Sequence, residues 1–595
     1  MKFLLVALNA KYIHSNPALY SLRAHAGEAL QLHVELAEYT INHMFSDVLG
    51  DIYKRRPDVI GFSCYIWNIE TVLPLVKELK KLIPTVPIWL GGPEVSYDAP
   101  ELLQKYPEIT GIMVGEGEET FRELLAYYLE AHGGKCDETG VGAEGARRKK
   151  ALSDIPGLCL QSGYTEARAL TDLSELPFLY EDLGMFENRI IYYESSRGCP
   201  FRCSYCLSSI DKKVRLRELD TVKKELQFFL DKKVPQVKFI DRTFNCNHAH
   251  ATAIWRYILE HDNGVTNFHF EISADLLNEK ELELLGKMRP GLVQLEIGVQ
   301  STNPDTLAAI HRNMDVDKLT HIVARINQGK NVHQHLDLIA GLPYEDYDSF
   351  GASFDRVYAM KPEQLQLGFL KVLKGSEMAD RAEEFGISYM DRAPYEVLFT
   401  KWLSFEEVQK LKRIEEMVEL YYNSNQFRYT LRFLERAFSS AFRMYEALAE
   451  YYEEQGYVVN SPARSYRYQV LLSFACRWDG ENEAIYRELL THDMYLRENL
   501  KSRPAFGKDL QDYKETIRGI YRREEAERCL LPEYRDYDSK QLEKMTHLEP
   551  YYYPVWELPQ DGKVQVLDAP VFLLYDYKER YPLTGEARVA KVEKL

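Results

Sequence analysis

Short apolar runs alternate with amphipathic stretches along the first 132 residues. Five runs have the length and composition of buried strands, at residues 2–8, 33–38, 58–64, 87–91 and 111–114. The segments between and after them carry the apolar period of helices, near 17–29, 45–55, 68–83, 98–105 and 118–131. Five successive βα units predict a parallel, doubly wound sheet. Ligands bind such sheets beyond the carboxyl ends of the strands, so a binding site is expected in the loops there.

A second βα series runs from 188 to about 375. It begins with the apolar run 189–193, and five further strands are predicted at 237–241, 267–272, 292–299, 332–340 and 364–372. The stretch 133–187 between the two series is predicted to be linker and connector. Within it, 132–150 lacks an apolar period and predicts an exposed loop, 155–161 predicts a strand in a hairpin, and 172–178 predicts a semi-rigid extended connector.

Beyond residue 375 the pattern changes to long amphipathic helices. They are predicted at 405–422, 427–453, 461–492 and 508–529, and short strands follow at 551–556, 564–568 and 571–577. We therefore predict a mainly helical domain over 376–595. We expect its many aromatic residues to pack in the core; the alternative is that they line a substrate cavity.

Composition narrows the classes of function. At 595 residues, three or four domains are expected, and the net charge of −17 argues against a nucleic-acid partner. The nine cysteines are an odd number and mostly scattered, which favours a reducing cytoplasm over a disulfide framework. No segment reaches the ~18 apolar residues of a membrane span, and the apolar start of the chain predicts a strand rather than a signal peptide. We expect a soluble, cytoplasmic protein.

Three cysteines stand close together directly after the predicted strand 189–193. Cys199, Cys203 and Cys206 form a C-x3-C-x2-C array on one short loop. A structural zinc ion requires four protein ligands, and the next candidate, Cys246, is some forty residues away. A [4Fe–4S] cluster held by three thiolates leaves one iron open for a further ligand. A zinc loop remains the alternative.

The spacing of the three cysteines, with Tyr205 just before the third, resembles the signature of the radical SAM superfamily. The resemblance implies a partial (β/α)6 barrel in which Cys199, Cys203 and Cys206 ligate a [4Fe–4S] cluster. S-adenosylmethionine (SAM) would chelate the open iron, and Tyr205 would lie near its adenine. On such barrels the active site lies at the carboxyl ends of the strands.

Three further elements resemble SAM-contacting segments of this superfamily. Residues 239–244 stand where the amino group of SAM is bound, but the usual Gly-Gly-Glu form is absent, so a strand-end hydrogen bond is the alternative role there. Residues 295–301 resemble the family's Gly-Val-Gln-Ser element, and 336–343 resemble its Asp-Leu-Ile-x-Gly-Leu-Pro element. A nearby arginine is a candidate clamp for the carboxylate of SAM, or else a surface cation. The implied SAM contacts are Tyr205, Asp241, Thr243, Glu296, Gln300, Arg312 and Asp337.

The N-terminal βα domain, placed ahead of the cysteine loop, resembles the cobalamin-binding domain of cobalamin-dependent radical SAM enzymes. The likeness implies a flavodoxin-like, doubly wound sheet. The implied cobalamin contacts are Ser63, Gly91, Gly92, Pro93, Gly115, Glu116 and Gly117. The Asp-x-His-x-x-Gly motif that ligates cobalt in methionine synthase-like domains cannot be placed on residues 9–16. We therefore expect cobalt without a histidine ligand; His14 as a ligand, and a domain that only docks on the barrel, are the alternatives.

These resemblances imply a radical SAM enzyme with three cofactors: a [4Fe–4S] cluster, SAM and cobalamin. We expect methylation of an unactivated carbon in a small-molecule or peptide substrate, with a flavodoxin- or ferredoxin-type reductant as partner. An oxidative cyclase or rearrangement enzyme, like the magnesium-protoporphyrin monomethyl ester cyclases, is the alternative within the superfamily. A non-catalytic sensor that binds the same cofactors is the alternative outside it. Residues 376–595 resemble the uncharacterised C-terminal domain of one branch of cobalamin-binding radical SAM proteins, which implies no chemistry.

Overall fold

A computed structural model describes residues 1–133, 151–557 and 564–592. Its first sheet has the strand order β2-β1-β3-β4-β5-β6-β7, and β1 to β5 are parallel. The strands are β1 Phe3–Asn9, β2 Val34–Thr40, β3 Val59–Ser63, β4 Ile88–Gly91, β5 Gly111–Met113, β6 Leu158–Leu160 and β7 Gly163–Tyr164. The first five positions have the flavodoxin-like order, which confirms the predicted doubly wound sheet. The predicted hairpin in the connector is β6 and β7, which extend this sheet in antiparallel fashion.

Seven helices cover the first sheet, and the loop before the first of them reaches its carboxyl edge. They are α1 Pro17–His25, α2 Glu28–Gln31, α3 Phe45–Lys54, α4 Ile69–Leu82, α5 Pro93–Ser96, α6 Ala99–Lys105 and α7 Glu118–Ala131. The Asn16 side chain caps α1 by accepting from Leu19 N, and Pro17 occupies the first helical turn. The Asn16 amide also donates to Ser63 Oγ at 2.7 Å. The start of α1 is thereby fixed to the end of β3.

The second sheet has six parallel strands in the order β15-β14-β13-β12-β11-β8. They are β8 Ile191–Tyr193, β11 Gln236–Phe239, β12 Asn267–Ile272, β13 Val293–Gln300, β14 His333–Ala340 and β15 Gln364–Phe369; a separate two-stranded ribbon pairs β9 Ser196–Arg197 with β10 Arg215–Leu216. The helices of this domain are α8 Leu219–Asp231, α9 His248–Glu260, α10 Glu279–Lys287, α11 Pro304–Ala309, α12 Val316–Gly329 and α13 Tyr347–Ala359. Because the strands neighbour one another in chain order, the sheet is the expected partial (β/α)6 barrel.

The described part of the C-terminal region is mainly helical, as predicted. Its helices are α14 Glu377–Asp380, α15 Phe405–Met417, α16 Arg428–Leu434, α17 Ala441–Glu454, α18 Arg467–Asp479, α19 Glu483–Arg497, α20 Lys514–Glu527 and α21 Ser539–Met545. Two predicted helices, 427–453 and 461–492, are each divided in two. Ser440 accounts for the first break, because its side chain accepts from Arg443 N and so begins a new helix.

The strands near the end of the chain differ from the prediction. They are β16 Ser388–Tyr389, β17 Val397–Phe399, β18 Thr546–Tyr551, β19 Val571–Arg580 and β20 Ala587–Lys591. The predicted strand 551–556 is wrong: β18 ends at Tyr551, and Pro554 has no N–H with which to continue a ladder. Residues 564–568 form no strand either. The prediction for 571–577 is confirmed by β19.

The aromatic side chains of the C-terminal region are largely packed. Tyr421, Tyr445, Tyr452 and Tyr486 are fully buried in a hydrophobic core that continues into the barrel. This supports the packing interpretation of their abundance. Among the described residues, no helix is long and apolar enough to cross a bilayer.

Candidate active site

The three cysteines line one cavity of about 170 Å³ at the carboxyl ends of the barrel strands. Cys199 and Cys203 are buried, Cys206 is half-buried, and all three are free thiols. Gly198 lets the loop turn, because its φ is +98° and a Cβ there would lie 2.5 Å from the carbonyl oxygen of Lys213. Three thiols open to one cavity fit a [4Fe–4S] cluster with three protein ligands.

Two further observations concern metal binding near this loop. In the parts of the chain that the structure describes, no set of three or more His, Cys, Asp or Glu side chains is placed to hold a single metal ion. Cys246 lies near Cys199 but is not among the residues that line the cavity.

Six of the seven side chains that the sequence suggested as SAM contacts line this same cavity. They are Tyr205, Thr243, Glu296, Gln300, Arg312 and Asp337.

Asp241 is the exception, because it does not line this cavity. It is fully buried, and its carboxylate accepts from Ser195 N at 3.1 Å, from Ser195 Oγ at 2.8 Å and from the Ser196 hydroxyl. Both oxygens are therefore used to anchor the residues that lead into the cysteine loop. These are the strand-end hydrogen bonds named as the alternative role, and contact of Asp241 with SAM stays a prediction.

Arg312 places a buried positive charge beside the cysteine loop. Its Nη1 lies 3.9 Å from Cys203 Sγ, and its Nη2 donates to the carbonyl oxygen of Gly298. Its Nε has no partner among the described residues although it is buried. A buried donor without a partner is costly, so an anionic ligand in the cavity would be stabilised here.

The two carboxylates on the fourth and fifth barrel strands are held by basic neighbours. Glu296 accepts from Lys238 Nζ at 3.0 Å and lies 2.9 Å from His269 Nε2. Burial alone would raise the pKa of Glu296, but these two neighbours lower it to about 2, so the carboxylate is charged. Asp337 Oδ1 lies 3.0 Å from His335 Nε2.

A second and much larger cavity, of about 1250 Å³, lies between the carboxyl edge of the first sheet and the mouth of the barrel. All seven residues suggested as cobalamin contacts line it: Ser63, Gly91, Gly92, Pro93, Gly115, Glu116 and Gly117. Tyr65 and Trp67, stacked with ring centroids 4.4 Å apart, also line it. A cavity of this size with glycine-rich walls fits a bulky, flat group such as a corrinoid.

Two glycines of this cavity, Gly92 and Gly115, have different structural roles. At Gly92, φ is +118° and a Cβ would lie 2.4 Å from the carbonyl oxygen of Cys64, so the backbone itself requires glycine. At Gly115, φ is +80° but a Cβ would meet no atom within 4 Å. The absence of a side chain at Gly115 therefore leaves space in the cavity, whereas at Gly92 it permits the turn.

Glu116 joins the two domains that face this cavity. Its carboxylate accepts from Arg215 at 2.5 Å and from Thr171 N at 2.7 Å, and it lies 3.5 Å from Arg197 Nη1. Burial would raise the pKa of Glu116, but these partners lower it to about 2. Arg197 also pairs with Glu118 at 2.9 Å. The Glu116 carboxylate is thus committed to an interdomain ion pair rather than open toward a ligand.

Two charged residues that the sequence did not single out lie where the cavities meet. Arg242 and Glu271, together with Ser208, line both of them. Glu271 stands two positions after His269 on β12, and this alternation along a barrel strand is the signal that would have placed both side chains in the barrel. Arg242 directly follows Asp241, just after β11, and this position beyond the carboxyl end of a barrel strand is the signal that would have placed it at the barrel mouth.

Comparison with known proteins identifies the parts of the chain. The model of the B12 binding domain matches residues 4–125, that of the radical SAM superfamily matches 193–357, and that of a protein family of unknown function, DUF4080, matches 383–572.

Curated relatives match across the first two of these parts. The cobalamin-dependent radical SAM methyltransferase TokK of Streptomyces tokunonensis is 27% identical, over 57% of this chain and 51% of its own. The 2-(S-pantetheinyl)-carbapenam-3-carboxylate methyltransferase of Streptantibioticus cattleyicolor is 26% identical, over 49% and 44%. The anaerobic magnesium-protoporphyrin IX monomethyl ester cyclase of Cereibacter sphaeroides is 24% identical, over 29% and 27%. The chain thus spans about half the length of the first two relatives.

Solved structures share the fold. The methyltransferase TsrM from Kitasatospora setae, with cobalamin and [4Fe-4S] cluster bound, superposes with a TM-score of 0.53 at 17% identity, over 67% of this chain and 82% of its own. The radical enzyme OxsB, with aqua-cobalamin and S-adenosylmethionine bound, gives 0.56 at 15% identity, over 82% and 78%. The family matches show that the chain joins a B12-binding domain to a radical SAM domain, and the solved structures show the same fold.

Proposed function

We propose that this protein is a cobalamin-dependent radical SAM enzyme that methylates an unactivated carbon of a small-molecule or peptide substrate. The observation that carries the proposal is the junction of the two cavities. The cysteine-lined cavity and the large cavity share Ser208, Arg242 and Glu271 on their walls. A substrate at this junction would be exposed to both cofactors at once.

Each cofactor has a defined set of candidate residues. Cys199, Cys203 and Cys206 would hold the cluster, and the Arg312 guanidinium would stabilise the carboxylate of SAM. The seven residues of the large cavity named above would surround cobalamin. When bound, SAM on the reduced cluster supplies a radical that removes a hydrogen atom from the substrate, and cobalamin supplies the methyl group.

The protein's own residues exclude water from the reaction space and hold its two walls in fixed positions. Leu176, Pro177, Phe178 and Leu179 give the large cavity an apolar side that disfavours water. The ion pairs of Glu116 and Glu118 with Arg197 and Arg215 join the two walls. Fixed walls hold the reacting groups in one orientation, which is how positioning lowers a barrier.

We assign the domains as residues 1–132 for cobalamin, 133–187 for linker and connector, 188–375 for the cluster and SAM, and 376–595 for structural support. No described residue after Glu271 lines the large cavity, which favours support over chemistry for the last domain.

We further propose a cytoplasmic location and electron supply from a flavodoxin- or ferredoxin-type protein, because the cluster must be reduced at low potential. The acidic net charge of −17 argues against a nucleic-acid partner.

Methylation is tested by isotopic labelling. The reconstituted, reduced protein is incubated with SAM carrying a trideuterated methyl group and with fractionated small-molecule and peptide extracts, and the products are analysed by mass spectrometry. We expect a product heavier than its precursor by the labelled methyl group. A product that forms without the label would instead establish the cyclase or rearrangement alternative.

A further inference from the structure

An arginine and a glutamate at the junction of the cavities form no ion pair or hydrogen bond with another residue that the structure describes. Arg242 is exposed to the cavities, and its guanidinium makes no ion pair or hydrogen bond with another described residue. Glu271 is partly buried and likewise has no such partner in the described part of the chain. Burial raises the pKa of Glu271 to about 7, while the nearby positive charge of Arg242 opposes part of this shift.

Apart from Arg312, the other charged side chains on these walls are already paired. In the large cavity, Arg197 and Arg215 neutralise the acidic residues of the interface, and Arg217 pairs with Glu225 at 2.6 Å. In the small cavity, Glu296 and Asp337 have basic neighbours. The paired set comprises Glu116, Glu118, Glu194, Arg197, Asp211, Arg217, Glu225, Glu296 and Asp337.

Arg242 also lies in a different position from Arg312, the arginine suited to bind the carboxylate of SAM. Arg312 lines only the small cavity beside Cys203, whereas Arg242 lines the small and the large cavity. An arginine at the opening between them faces the space where the substrate of the proposed reaction must sit. A guanidinium binds carboxylate and phosphate groups through paired N–H donors.

We propose that Arg242 and Glu271 form the polar end of the substrate site, with Arg242 binding an oxyanion of the substrate and Glu271 binding a neighbouring hydrogen-bond donor. This inference rests on the proposed function and names its substrate class. The substrate is an amphipathic carboxylate or phosphate whose apolar part lies against Leu176 to Leu179. Neither charged residue is among the candidate residues for the cluster or for cobalamin.

The first test measures how fast the Arg242 guanidinium is chemically modified and which compounds protect it from modification. Phenylglyoxal reacts with accessible guanidinium groups, and peptide mass spectrometry follows Arg242 in the cofactor-loaded protein. We expect Arg242 to react faster than the paired Arg197 and Arg215. Hexanoate or hexyl phosphate should protect it, whereas hexanamide and hexylammonium at equal ionic strength should not. Full protection by SAM alone would mean that Arg242 binds the carboxylate of SAM, and would overturn the proposal.

The second test uses variants and calorimetric titration of the loaded protein with hexanoate. Arg242→Gln should weaken hexanoate binding about tenfold or more, because a charge-assisted hydrogen bond is lost. The matched control Arg256→Gln, which changes an exposed arginine on α9, should leave binding unchanged. Equal affinities in the wild-type protein and Arg242→Gln would contradict the inference.

Glu271 is tested with a second probe. 3-Aminohexanoate, which carries a donor next to the carboxylate, should bind the wild-type protein more tightly than hexanoate does. Glu271→Gln should remove this preference, and the exposed control Glu260→Gln should keep it. The same preference in Glu271→Gln would exclude Glu271 from the site.

Failure of the inference can be told from failure of the proposed function. Arg242→Gln should retain cobalamin and the absorbance of the cluster. Loss of either in the variant alone would make Arg242 a cofactor residue and overturn the inference. A wild-type protein that forms no 5′-deoxyadenosine would contradict the proposed function, while the hexanoate titrations would still decide the role of Arg242.

Discussion

The imidazole Nδ1 of His14 lies 2.5 Å from the hydroxyl oxygen of Tyr192, so a loop of the first sheet is bonded to the first strand of the barrel. His14 also lines the large cavity. Burial lowers the pKa of His14, and the nearby positive charges of Lys11 and Lys238 act in the same direction. Its Nδ1 is thus used in an interdomain contact, and the absence of a histidine ligand to cobalt stays a prediction.

We predict that His14→Ala leaves cobalamin retention and the electron paramagnetic resonance spectrum of cob(II)alamin unchanged. The free energy of unfolding should fall by about 0.5–1.5 kcal/mol, because one hydrogen bond is lost. Tyr192→Phe, which removes the same contact from the other side, should cost a similar amount. Disappearance of a nitrogen hyperfine signal in His14→Ala would show that His14 does ligate cobalt.

Replacing a cluster cysteine should have an all-or-none effect. Cys199→Ala, Cys203→Ala or Cys206→Ala should each remove the iron–sulfur absorbance near ~400 nm and abolish cleavage of SAM, since each thiolate occupies one corner of the cluster. Cys246→Ala is the matched control and should retain both. If Cys246→Ala lost the cluster as completely as the other three variants, ligation by four cysteines would replace this account.

Two glycines of the large cavity should respond differently to substitution. Gly92→Ala should destabilise the cofactor-free protein by about 1–3 kcal/mol, because the new Cβ meets the carbonyl of Cys64 and the backbone φ is positive. Gly115→Asn should barely change the melting temperature, because asparagine tolerates positive φ and the space is open. It should nevertheless lower cobalamin retention several-fold. Full retention in Gly115→Asn would place cobalamin elsewhere.

The interdomain ion pair of Glu116 predicts a dependence of stability on pH. Its pKa in the folded protein, about 2, lies below the ordinary value of 4.5. The pair therefore stabilises the fold fully above pH 4.5 and loses this contribution as the pH falls toward 2. Glu116→Gln should lower the free energy of unfolding at pH 7 by about 1–3 kcal/mol and flatten the acid limb of the stability curve. The exposed control Glu101→Gln should reproduce the wild-type curve.

The sequence predicted the elements of the first two domains well, because each βα unit has its own apolar run and amphipathic helix. It predicted fewer features of the last domain. Ser440 divides a continuous apolar period by capping a new helix, and Pro554 ends strand pairing, so local signals overrode the wider pattern there.

Within the candidate site, loop and strand-end positions were predictable but side-chain partners were not. Asp241 stands at the expected strand end, yet its carboxylate turns to Ser195 and Ser196. Glu116 stands in the expected loop, yet Arg215, some hundred residues later, binds it. Such partners come together only through the packing of the two domains, which a single sequence does not display.

The most direct test of the central claim is the quantity of 5′-deoxyadenosine formed from SAM by the protein reconstituted with iron, sulfide and cobalamin and reduced with dithionite. The account predicts that 5′-deoxyadenosine accumulates beyond one equivalent per cluster when substrate-containing extract is present, and that Cys203→Ala forms none. A non-catalytic sensor would bind both cofactors and yet form no 5′-deoxyadenosine under any of these conditions, and that result would contradict the account.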